Sequence, residues 1–505
     1  MSIQKLSLIS KKENVGKLLM VIDATVPSWL VDVIVVLANL YPSKEISLII
    51  NEEKSTDDKF KWFLSCFIFL ERYIFRQRFK NFNSMNIYDV KFPSSIGLKP
   101  YSHEALDELE ADDLIFNLTK IKIDKYSRRV VSVDGVDCAV GTTGIISFVD
   151  QYMKNDRALI VRSHQGVIWK HLFQTKEYSL DKNIGFFKAA LKQAIECLWV
   201  SERQIVNEQE SPTDNNNSSL ETYWLRWVLK RLFKWLCKTV FFKRWIVLLK
   251  LPDGRVKRLK PTSHNGWADP FLVQQNLFVE EIDNKSGKGH LAQVQLDENG
   301  DCVTAKSIVN EPFHLSYPNI FKYNNEWLMV PESASAKQLR LYKSNFFPQH
   351  WNLSKVLVDD ARLLDTTLFL NDGFWWIFAT VKVLDEGSSF DQLFLFYTKD
   401  LLNGNWKPHK QNPVITNSSQ ARPAGKIYRA DNRIYRPSQD CFANYGAAVN
   451  INEIVALTTS EYKEQLIKRL TPLDYGVKGL ALHTFNFDNG WEVLDLQLWS
   501  PRFPS

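Results

Sequence analysis

The hydrophobic positions in the second half of the chain fall in short runs separated by turn signals. Residues 326–330, 374–379 and 393–397 are apolar or aromatic runs of strand length. The turn dipeptides are Asn299-Gly300, Asp372-Gly373, Asn403-Gly404 and Asn489-Gly490. Four short strands with their turns take ~40–50 residues, the length of one propeller blade. The pattern therefore predicts an all-β, five-bladed β-propeller over residues 251–505.

The first half of the chain has a different pattern. Residues 17–23 and 45–50 predict buried strands, and residues 29–40 predict a mostly apolar helix that starts after Pro27. Residues 113–118 predict a later strand. Strand–helix–strand order is typical of an α/β domain with a parallel, Rossmann-like sheet, which we expect over residues 1–206. No Gly-x-Gly-x-x-Gly follows the first strand, so the sequence predicts no dinucleotide site.

Residues 207–219 are polar and low in complexity, which predicts a flexible linker and a domain boundary. Residues 220–250 then combine tryptophan and phenylalanine with many cations. The cations are Arg226, Lys230, Arg231, Lys234, Lys238, Lys243 and Arg244, against the single acid Glu221. We interpret this stretch as a basic, tryptophan-rich amphipathic helix, with residues 220–246 lying on an anionic membrane surface. The alternative is a helix packed between the two domains.

Composition limits the possible classes of protein. The chain has 505 residues, 45% of them hydrophobic, which fits two or three domains, and its net charge of +6 does not indicate nucleic acid. Six cysteines without Cys-x-x-Cys pairs predict free thiols in a reducing compartment. No signal peptide or apolar run of ~18 residues is found, so we expect a cytoplasmic protein, peripheral at the inner face of the membrane. Without metal-ligand spacing or a phosphate-binding glycine loop, we expect neither metal nor cofactor.

Several polar residues stand among turn-forming and aromatic residues, and we take these as the candidate site. Asp269, Glu332 and Asp365 are the candidate catalytic groups, because glycosyl chemistry uses carboxylates as acid, base or nucleophile. The inner strands of a propeller converge on one channel, where distant residues can build one site. The candidate substrate-binding residues are Trp267, His314, Tyr317, Arg422, Arg436, Gln439 and Asp440. The alternatives are acids that cap turns, a structural histidine and arginines in inter-blade salt bridges.

These motifs carry a family resemblance over roughly residues 260–505. They are 267–271 (WADPF), 313–318 (FHLSYP), 331–333 (PES), 365–367 (DTT), 421–425 (ARPAG) and 436–440 (RPSQD) with Tyr445-Gly446. The region resembles the domain at the N-terminus of glucosamine inositolphosphorylceramide transferase, which also occurs alone in bacterial polysaccharide loci. That family is similar to the five-bladed propellers of furanosidases and fructosidases. The resemblance implies site acids in blades one, three and four; Asp269 and Asp365 match the first two, and Arg422 stands in the region of the third.

Residues 1–206 resemble the formyltransferase-like domain that precedes this propeller in bacterial relatives. Formyltransferases use an Asn, a His and an Asp around the formyl donor. Residues 131–135 (VSVDG) stand where the histidine motif is expected, and they contain no histidine. The resemblance therefore implies a scaffold or sugar-binding role for this domain in place of formyl transfer.

Three functions remain as hypotheses. The first is a glycosyltransferase-like enzyme of bacterial surface polysaccharide or glycolipid synthesis, with a sugar donor and a glycan or lipid-linked acceptor as partners. In it Asp269 is base or nucleophile, Glu332 the proton donor and Asp365 an orienting acid, while the arginines suit the phosphates of a donor. The second is a furanosidase-like glycoside hydrolase. The third is a glycan-binding scaffold without catalysis.

Overall fold

The computed structural model describes residues 6–12, 15–52, 84–102, 113–119, 123, 130–134, 158–163, 166–173, 180–201, 229, 233, 237, 240–261, 265–283, 285–385 and 387–501. The chain divides into two compact units. One comprises Lys11–Leu232 and Leu384–Ser388, and the other comprises Met1–Ser10, Phe233–Val383 and Ser389–Ser505. The predicted linker at 207–219 lies outside the described residues. Among the described residues, no helix is both long enough and apolar enough to cross a bilayer.

The first unit is built on a sheet whose seven described strands have the order β5-β3-β1-β6-β7-β8-β9. They are β1 (Leu18–Asp23), β3 (Ile46–Asn51), β5 (Ile96–Pro100), β6 (Leu114–Asn117), β7 (Val130–Asp134), β8 (Ala158–Ser163) and β9 (Gly166–Leu172). The strands from β5 to β7 are parallel, and β8 and β9 add antiparallel pairs. β1 and β3 are buried along nearly their whole length, as strands of a parallel sheet covered on both faces are.

Two helices accompany this sheet, α1 (Ser28–Leu40) and α2 (Leu180–Trp199), and a small separate pair consists of β2 (Thr25–Pro27) and β4 (Ser84–Asn86). α1 contacts α2, with the ring of Trp29 edge-on to Phe187 at 5.6 Å. The predicted strands near 17–23, 45–50 and 113–118, the predicted helix and the parallel sheet are confirmed.

The second unit contains five four-stranded antiparallel sheets, the blades of a β-propeller, as predicted. Blade I is β12 (Gly266–Val273), β13 (Asn276–Ile282), β14 (Gly289–Leu296) and β15 (Cys302–Val309); blade II is β16 (Ser316–Tyr323), β17 (Glu326–Glu332), β18 (Gln338–Phe346) and β19 (Gln349–Asp359); blade III is β20 (Leu363–Asn371), β21 (Phe374–Val381), β22 (Leu393–Thr398) and β23 (Lys407–Pro408); blade IV is β24 (Tyr428–Ala430), β25 (Arg433–Asp440), β26 (Ala448–Leu457) and β27 (Tyr462–Leu470).

Blade V joins the two ends of the propeller sequence. Its order is β11 (Val256–Leu259), β10 (Phe241–Lys250), β29 (Trp491–Pro501) and β28 (Phe485–Asp488). β10 pairs with β29 over ten residue pairs, from Phe241 opposite Pro501 to Lys250 opposite Glu492. This pairing closes the ring and satisfies the backbone groups that two free sheet edges would expose.

The helix predicted for residues 220–250 is wrong over its last ten residues, which form strand β10. Ile246 and Leu248 pack on blade IV, whereas Val247 and Leu249 pack on blade I. A strand between two blades is buried on both faces, so its apolar run shows no two-residue alternation and is easily taken for part of a helix. Residues 220–228 lie outside the described residues, as do most of residues 230–239.

The hydrophobic core of the propeller consists of one cluster at each interface between neighbouring blades. Five clusters join blades V and I, I and II, II and III, III and IV, and IV and V. Leu6 and Leu8 pack against the cluster between blades II and III, so the first residues of the chain belong to the propeller unit and not to the α/β domain. Because each blade buries both of its faces, a single altered blade affects two interfaces.

Candidate functional site

The inner strands of blades I, II and III carry the same local distortion. Asp269, Tyr317 and Asp365 have φ values of 46°, 49° and 47°, and they follow one another at intervals of 48 positions in the chain. Each lies inside a β-bulge, where the pairing with the second strand skips two residues. Positive φ is uncommon for residues other than glycine and costs backbone energy, so neighbouring groups must hold these residues in place. A bulge also changes the direction in which its side chains point.

Two of these bulges are each held by an acid from the second strand of the neighbouring blade. The backbone amide of Asp365 donates to Oε2 of Glu332 at 3.0 Å, across the interface between blades II and III. The backbone amide of Asp269 donates to Oδ2 of Asp495 at 2.9 Å, across the interface between blades V and I. Glu332 and Asp495 therefore stabilise the strained backbone beside each candidate acid, in addition to any chemical role of their own.

Asp365 is the ionised carboxylate of the site. Its Oδ2 accepts a hydrogen bond from Nε of Arg422 at 2.5 Å and another from Nε2 of Gln439 at 2.7 Å. Burial alone would raise the pKa of Asp365, but the charge and hydrogen bond of Arg422 outweigh burial and keep the pKa below its usual value. The structure thus brings together three residues that the sequence placed in the site.

Glu332 lies beside this pair, and its pKa is shifted in the opposite direction. Burial and the negative charge of Asp365 raise the pKa of Glu332 well above its usual value, and Arg422, with its Nη2 at 3.8 Å, only partly offsets them. The pKa of Glu332 is therefore raised while that of Asp365 is lowered. Two neighbouring carboxyl groups with pKa values pushed apart are the usual arrangement for an acid and a base in one site.

Asp269 belongs to a second group, centred on His483. Its Oδ1 accepts a hydrogen bond from the hydroxyl of Thr484 at 2.6 Å and lies 3.7 Å from Nε2 of His483. On its other side, Nδ1 of His483 is 2.6 Å from Oδ2 of Asp495. Burial raises the pKa of Asp269 to about 7, aided by Asp365 and opposed by the charge of His483. Burial lowers the pKa of His483, but the charges of Asp495 and Asp269 outweigh burial and raise the pKa to about 9.

The two groups share one electrostatic environment. Asp365 contributes to the raised pKa of both Asp269 and His483, and Asp269 contributes to that of His314. Blades I, II, III, IV and V thus all supply charged side chains to one region of the channel, as expected for inner strands that converge.

Aromatic rings border this region. Trp245 stacks on His483 with ring centroids 3.9 Å apart and an interplanar angle of 18°. The ring of Tyr445, 36% exposed, meets His483 edge-on at 5.5 Å, and the guanidinium of Arg422 lies 5.2 Å from its centre. A partly exposed aromatic beside buried acids is a common surface for the apolar face of a sugar ring.

Tyr317 and His314 are present near the site but in different roles. The hydroxyl of Tyr317 accepts a hydrogen bond from the amide of Gly425 at 2.6 Å and lies 2.8 Å from Thr367 Oγ1, and its side chain is fully buried. It connects blades II, III and IV and holds the bulge of blade II. His314 is 37% exposed through its side chain, with Nε2 3.1 Å from Glu280, whose hydrogen bond raises the pKa of His314.

Three predicted substrate-binding residues make packing or ion-pair contacts outside the Asp365 and His483 groups. Trp267 is fully buried in the cluster between blades V and I. Arg436 is 1% exposed and makes two 2.7 Å hydrogen bonds to the carboxylate of Glu464, a salt bridge within blade IV and not the inter-blade one that the alternative named. Asp440 pairs with Arg469 at 2.9 Å. The side chains of Trp267 and Arg436 are too completely buried to contact a ligand. The motif around Trp267 reflects packing between two blades, and the motif around Arg436 reflects a contact within one blade.

The sequence missed His483, Thr484, Asp495 and Trp245. The first two lie on the innermost segment of blade V, which continues β28 and pairs with β29 through Ala481 and Gln497. Asp495 lies within an alternating apolar run, where an acid ordinarily faces solvent. The one available signal was the strand-like alternation of residues 481–499 at the end of the predicted propeller, because an inner strand there must face the channel.

Asp269, His483 and Asp495 offer ligand atoms within 4.8 Å of one another, the spacing of a possible metal site. The chemistry of the group favours an ion pair instead. His483 has an acid on each side, and both acids raise its pKa, so a metal ion at this group would have to compete with the proton on the imidazole. A cavity of about 290 Å³ lies at the hairpin turns of blades I and V, away from these acids; it is lined by Leu272, Gln274, Gln275, Asp488, Asn489 and Trp491.

Comparison with known proteins agrees with the resemblance in the propeller motifs. Residues 258–478 match the family model described as glucosamine inositolphosphorylceramide transferase 1, N-terminal. Glucosamine inositolphosphorylceramide transferase 1 of Oryza sativa subsp. japonica is 36% identical over 218 residues, which are 42% of this chain and 28% of the relative. The protein of the same name from Arabidopsis thaliana is 34% identical over 207 residues, 40% of this chain and 27% of the relative. The chain thus spans about a quarter of the length of these curated relatives.

Solved structures with a similar arrangement share little sequence with the chain. A family 117 glycoside hydrolase of Zobellia galactanivorans has a TM-score of 0.34 at 10% identity, covering 51% of this chain and 90% of that one. The catalytic domain of a Coprinopsis cinerea GH62 α-L-arabinofuranosidase has a TM-score of 0.35 at 10% identity, covering 47% and 94%.

Proposed function

We propose that the propeller channel is a site for glycosyl chemistry and that the protein is a glycosyltransferase-like enzyme of surface polysaccharide or glycolipid synthesis. The observation that carries this proposal is that three carboxyl groups with different pKa values lie in one buried region: Glu332 with a raised pKa, Asp365 with a lowered pKa and Asp269 with a pKa of about 7. Glycosyl transfer needs one group that delivers a proton to the leaving oxygen and one that accepts the proton of the incoming hydroxyl.

The roles follow from the contacts. Glu332 delivers its proton to the leaving oxygen, and Asp269 takes the proton of the acceptor hydroxyl, or attacks the sugar carbon in a two-step reaction. Asp365 is held by Arg422 and Gln439 and therefore orients the sugar hydroxyls and stabilises positive charge on the ring. His483, charged and bonded to Asp495, balances the negative charge that appears on Asp269.

The relatives support transfer as the direction of this chemistry and a sphingolipid-type molecule as the class of acceptor. The activity in their name belongs to proteins most of whose length has no counterpart in the match, so the assignment to this chain is ours. Arg422 and Arg436 are both engaged with acids, which does not favour the arginines as binders of donor phosphates. We place the reaction at the cytoplasmic face of a membrane, with the α/β domain as a scaffold or sugar-binding domain.

The test uses the full chain with radiolabelled nucleotide sugars and a membrane lipid extract that contains sphingolipids, with label counted in the organic phase. Transfer by the native protein, lost by ~100-fold or more in Asp269→Asn with an unchanged circular dichroism spectrum, supports the proposal. Transfer that survives this substitution removes Asp269 from the mechanism.

The same acids also fit hydrolysis, which is the second candidate. A panel of 4-nitrophenyl glycosides, incubated without any nucleotide sugar, distinguishes the two reactions. Release of 4-nitrophenol without label in lipid assigns the chain to hydrolysis. If neither reaction occurs and glycan binding is unchanged in the Asp269→Asn, Glu332→Gln double variant, the chain is a scaffold.

A further inference from the structure

The end of the channel that carries the acids is bordered by exposed aromatic side chains. β10 begins at Phe241, and its fifth residue, Trp245, stacks on His483. β29 leaves the hairpin at Asn489-Gly490 and reaches Trp499 at its far end. Since β10 and β29 are antiparallel partners, the first residues of β10 and the last residues of β29 lie together, on the side of His483 that faces away from the hairpin.

These residues form what we call the rim patch: Phe241, Phe242, Lys243, Tyr445 and Trp499. The four aromatic residues are 36–39% exposed, whereas the neighbouring Ile246–Leu249 segment is buried. Lys243 Nζ lies 5.8 Å from the ring centre of Trp499, and the rings of Phe241 and Trp499 are 6.3 Å apart. Tyr445 and Trp245 are edge-to-face at 6.5 Å, which connects the rim patch to the site.

We propose that the rim patch binds the interface of an anionic lipid bilayer, so that the channel opens onto the membrane surface. Exposed aromatics mixed with lysine and arginine are the composition of interfacial membrane-binding surfaces, because the rings enter the headgroup region and the cations meet lipid phosphates. In the sequence, residues 226–244, which include Phe241, Phe242 and Lys243 of the patch, carry seven cations and no acid. A glycan-binding surface needs the rings but not this excess of cations.

Trp245 lies between the rim patch and the site, because it contacts both Tyr445 and His483. A strand rises ~3.3 Å per residue, so Phe241 lies roughly 13 Å from Trp245 along β10. A bilayer interface held at Phe241 would therefore present a headgroup within reach of the site acids without requiring the lipid to leave the membrane. The binding of lipid stands on the patch alone; only its purpose, delivery of a lipid-linked acceptor, rests on the proposed function.

The experiment is cosedimentation of the full chain with vesicles of phosphatidylcholine alone or of phosphatidylcholine and phosphatidylglycerol in equal amounts. We expect binding to the anionic vesicles that weakens as salt is raised. Phe241→Thr with Phe242→Thr keeps good strand-forming residues and should lower the affinity about tenfold or more, because two partly exposed rings no longer enter the interface. Lys243→Glu should lower it by a similar factor.

The matched control is Leu466→Thr with Ile467→Thr on β27, because these two residues are 48% and 50% exposed on another strand of the propeller. It should bind like the native chain, and so should Asp269→Asn, since the vesicles contain no acceptor. Absence of binding to anionic vesicles, equal loss in the control, or full binding by the Phe241, Phe242 variant overturns the proposal. Loss of soluble glycan binding in that variant, with vesicle binding intact, would assign the patch to glycans instead.

Discussion

Nε of Arg422 donates a 2.5 Å hydrogen bond to Oδ2 of Asp365, and both side chains are almost completely buried. This ion pair joins the inner strands of blades III and IV at the channel. It keeps Asp365 ionised, and the negative charge of Asp365 in turn raises the pKa of Glu332. One contact therefore stabilises the fold and separates the protonation states of the two acids.

Replacing Arg422 by methionine should reveal the structural part of this contact. The substitution removes the cation and leaves a buried charge without a partner, which typically costs about 3–5 kcal/mol. We expect that loss in the free energy of unfolding, measured by urea titration. The control is Arg469→Met, whose side chain is 45% exposed and pairs with Asp440, and there the loss should be about 0–1 kcal/mol. Equal effects of the two substitutions would contradict the buried-pair argument.

Glu332→Gln should distinguish proton donation by Glu332 from its structural role, which is to hold the backbone amide of Asp365. The glutamine carbonyl can still accept the hydrogen bond from the amide of Asp365, so the fold should persist, while turnover should fall by ~10²–10⁴-fold. Activity should be partly restored with a leaving group that needs no proton, such as 4-nitrophenolate. Glu326→Gln on the same strand, paired with Lys343 at the surface, serves as the control. An equally large loss with activated and ordinary leaving groups would show that Glu332 is not the proton donor.

His483 should make stability depend on pH in the alkaline range. Its folded-state pKa of about 9 lies above the ordinary value of 6.5, so the stabilisation from the proton on His483, mainly through Asp495, is fully present below pH 6.5. This stability is lost as the pH rises through about 9, and it amounts to about 3 kcal/mol. Urea midpoints measured from pH 6 to pH 9.5 should fall for the native chain, and the fall should be much smaller in His483→Gln.

His409 is the control for this measurement. It is also buried, but burial lowers its pKa to about 4, so it is neutral throughout the tested range. His409→Gln should therefore leave the slope between pH 6.5 and 9 unchanged. If the His483 variant keeps the slope of the native chain, His483 is not charged in the folded protein.

Gly425 should tolerate no side chain. Its φ is 145°, and a Cβ built on it would lie 2.0 Å from the carbonyl oxygen of Phe485 in blade V. Gly425→Ala must separate blades IV and V or twist the backbone, and we expect a loss of roughly 3 kcal/mol or more in the free energy of unfolding. Gly266→Ala, where a Cβ meets nothing within 4 Å, should change stability little. A thermal melt of the two variants compares them directly.

Local patterns were sufficient for much of the architecture. The strand-length runs and turn dipeptides predicted five blades because a blade is a local unit of four strands joined by tight turns. The buried runs at 17–23 and 45–50 predicted parallel strands because both faces of such strands are apolar. Asp269, Glu332 and Asp365 were recognisable because acids rarely stand among aromatic and turn residues without a reason.

Pairing between strands that are distant in the sequence determined how the ring closes and which residues form the site. Nothing near Phe241–Lys250 in the sequence indicates that its partner is Trp491–Pro501, since hydrogen bonds between residues 242 to 260 positions apart leave no local periodicity. His483, Asp495 and Trp245 became site residues only through that closure. Arg422 and Arg436 look alike in sequence, but one meets Asp365 at the channel and the other meets Glu464 within blade IV. The sequence by itself determined most of the segments that form strands, with Phe241–Lys250 as an exception. The closed ring determined which distant segments become neighbours, and therefore which charges share one buried environment.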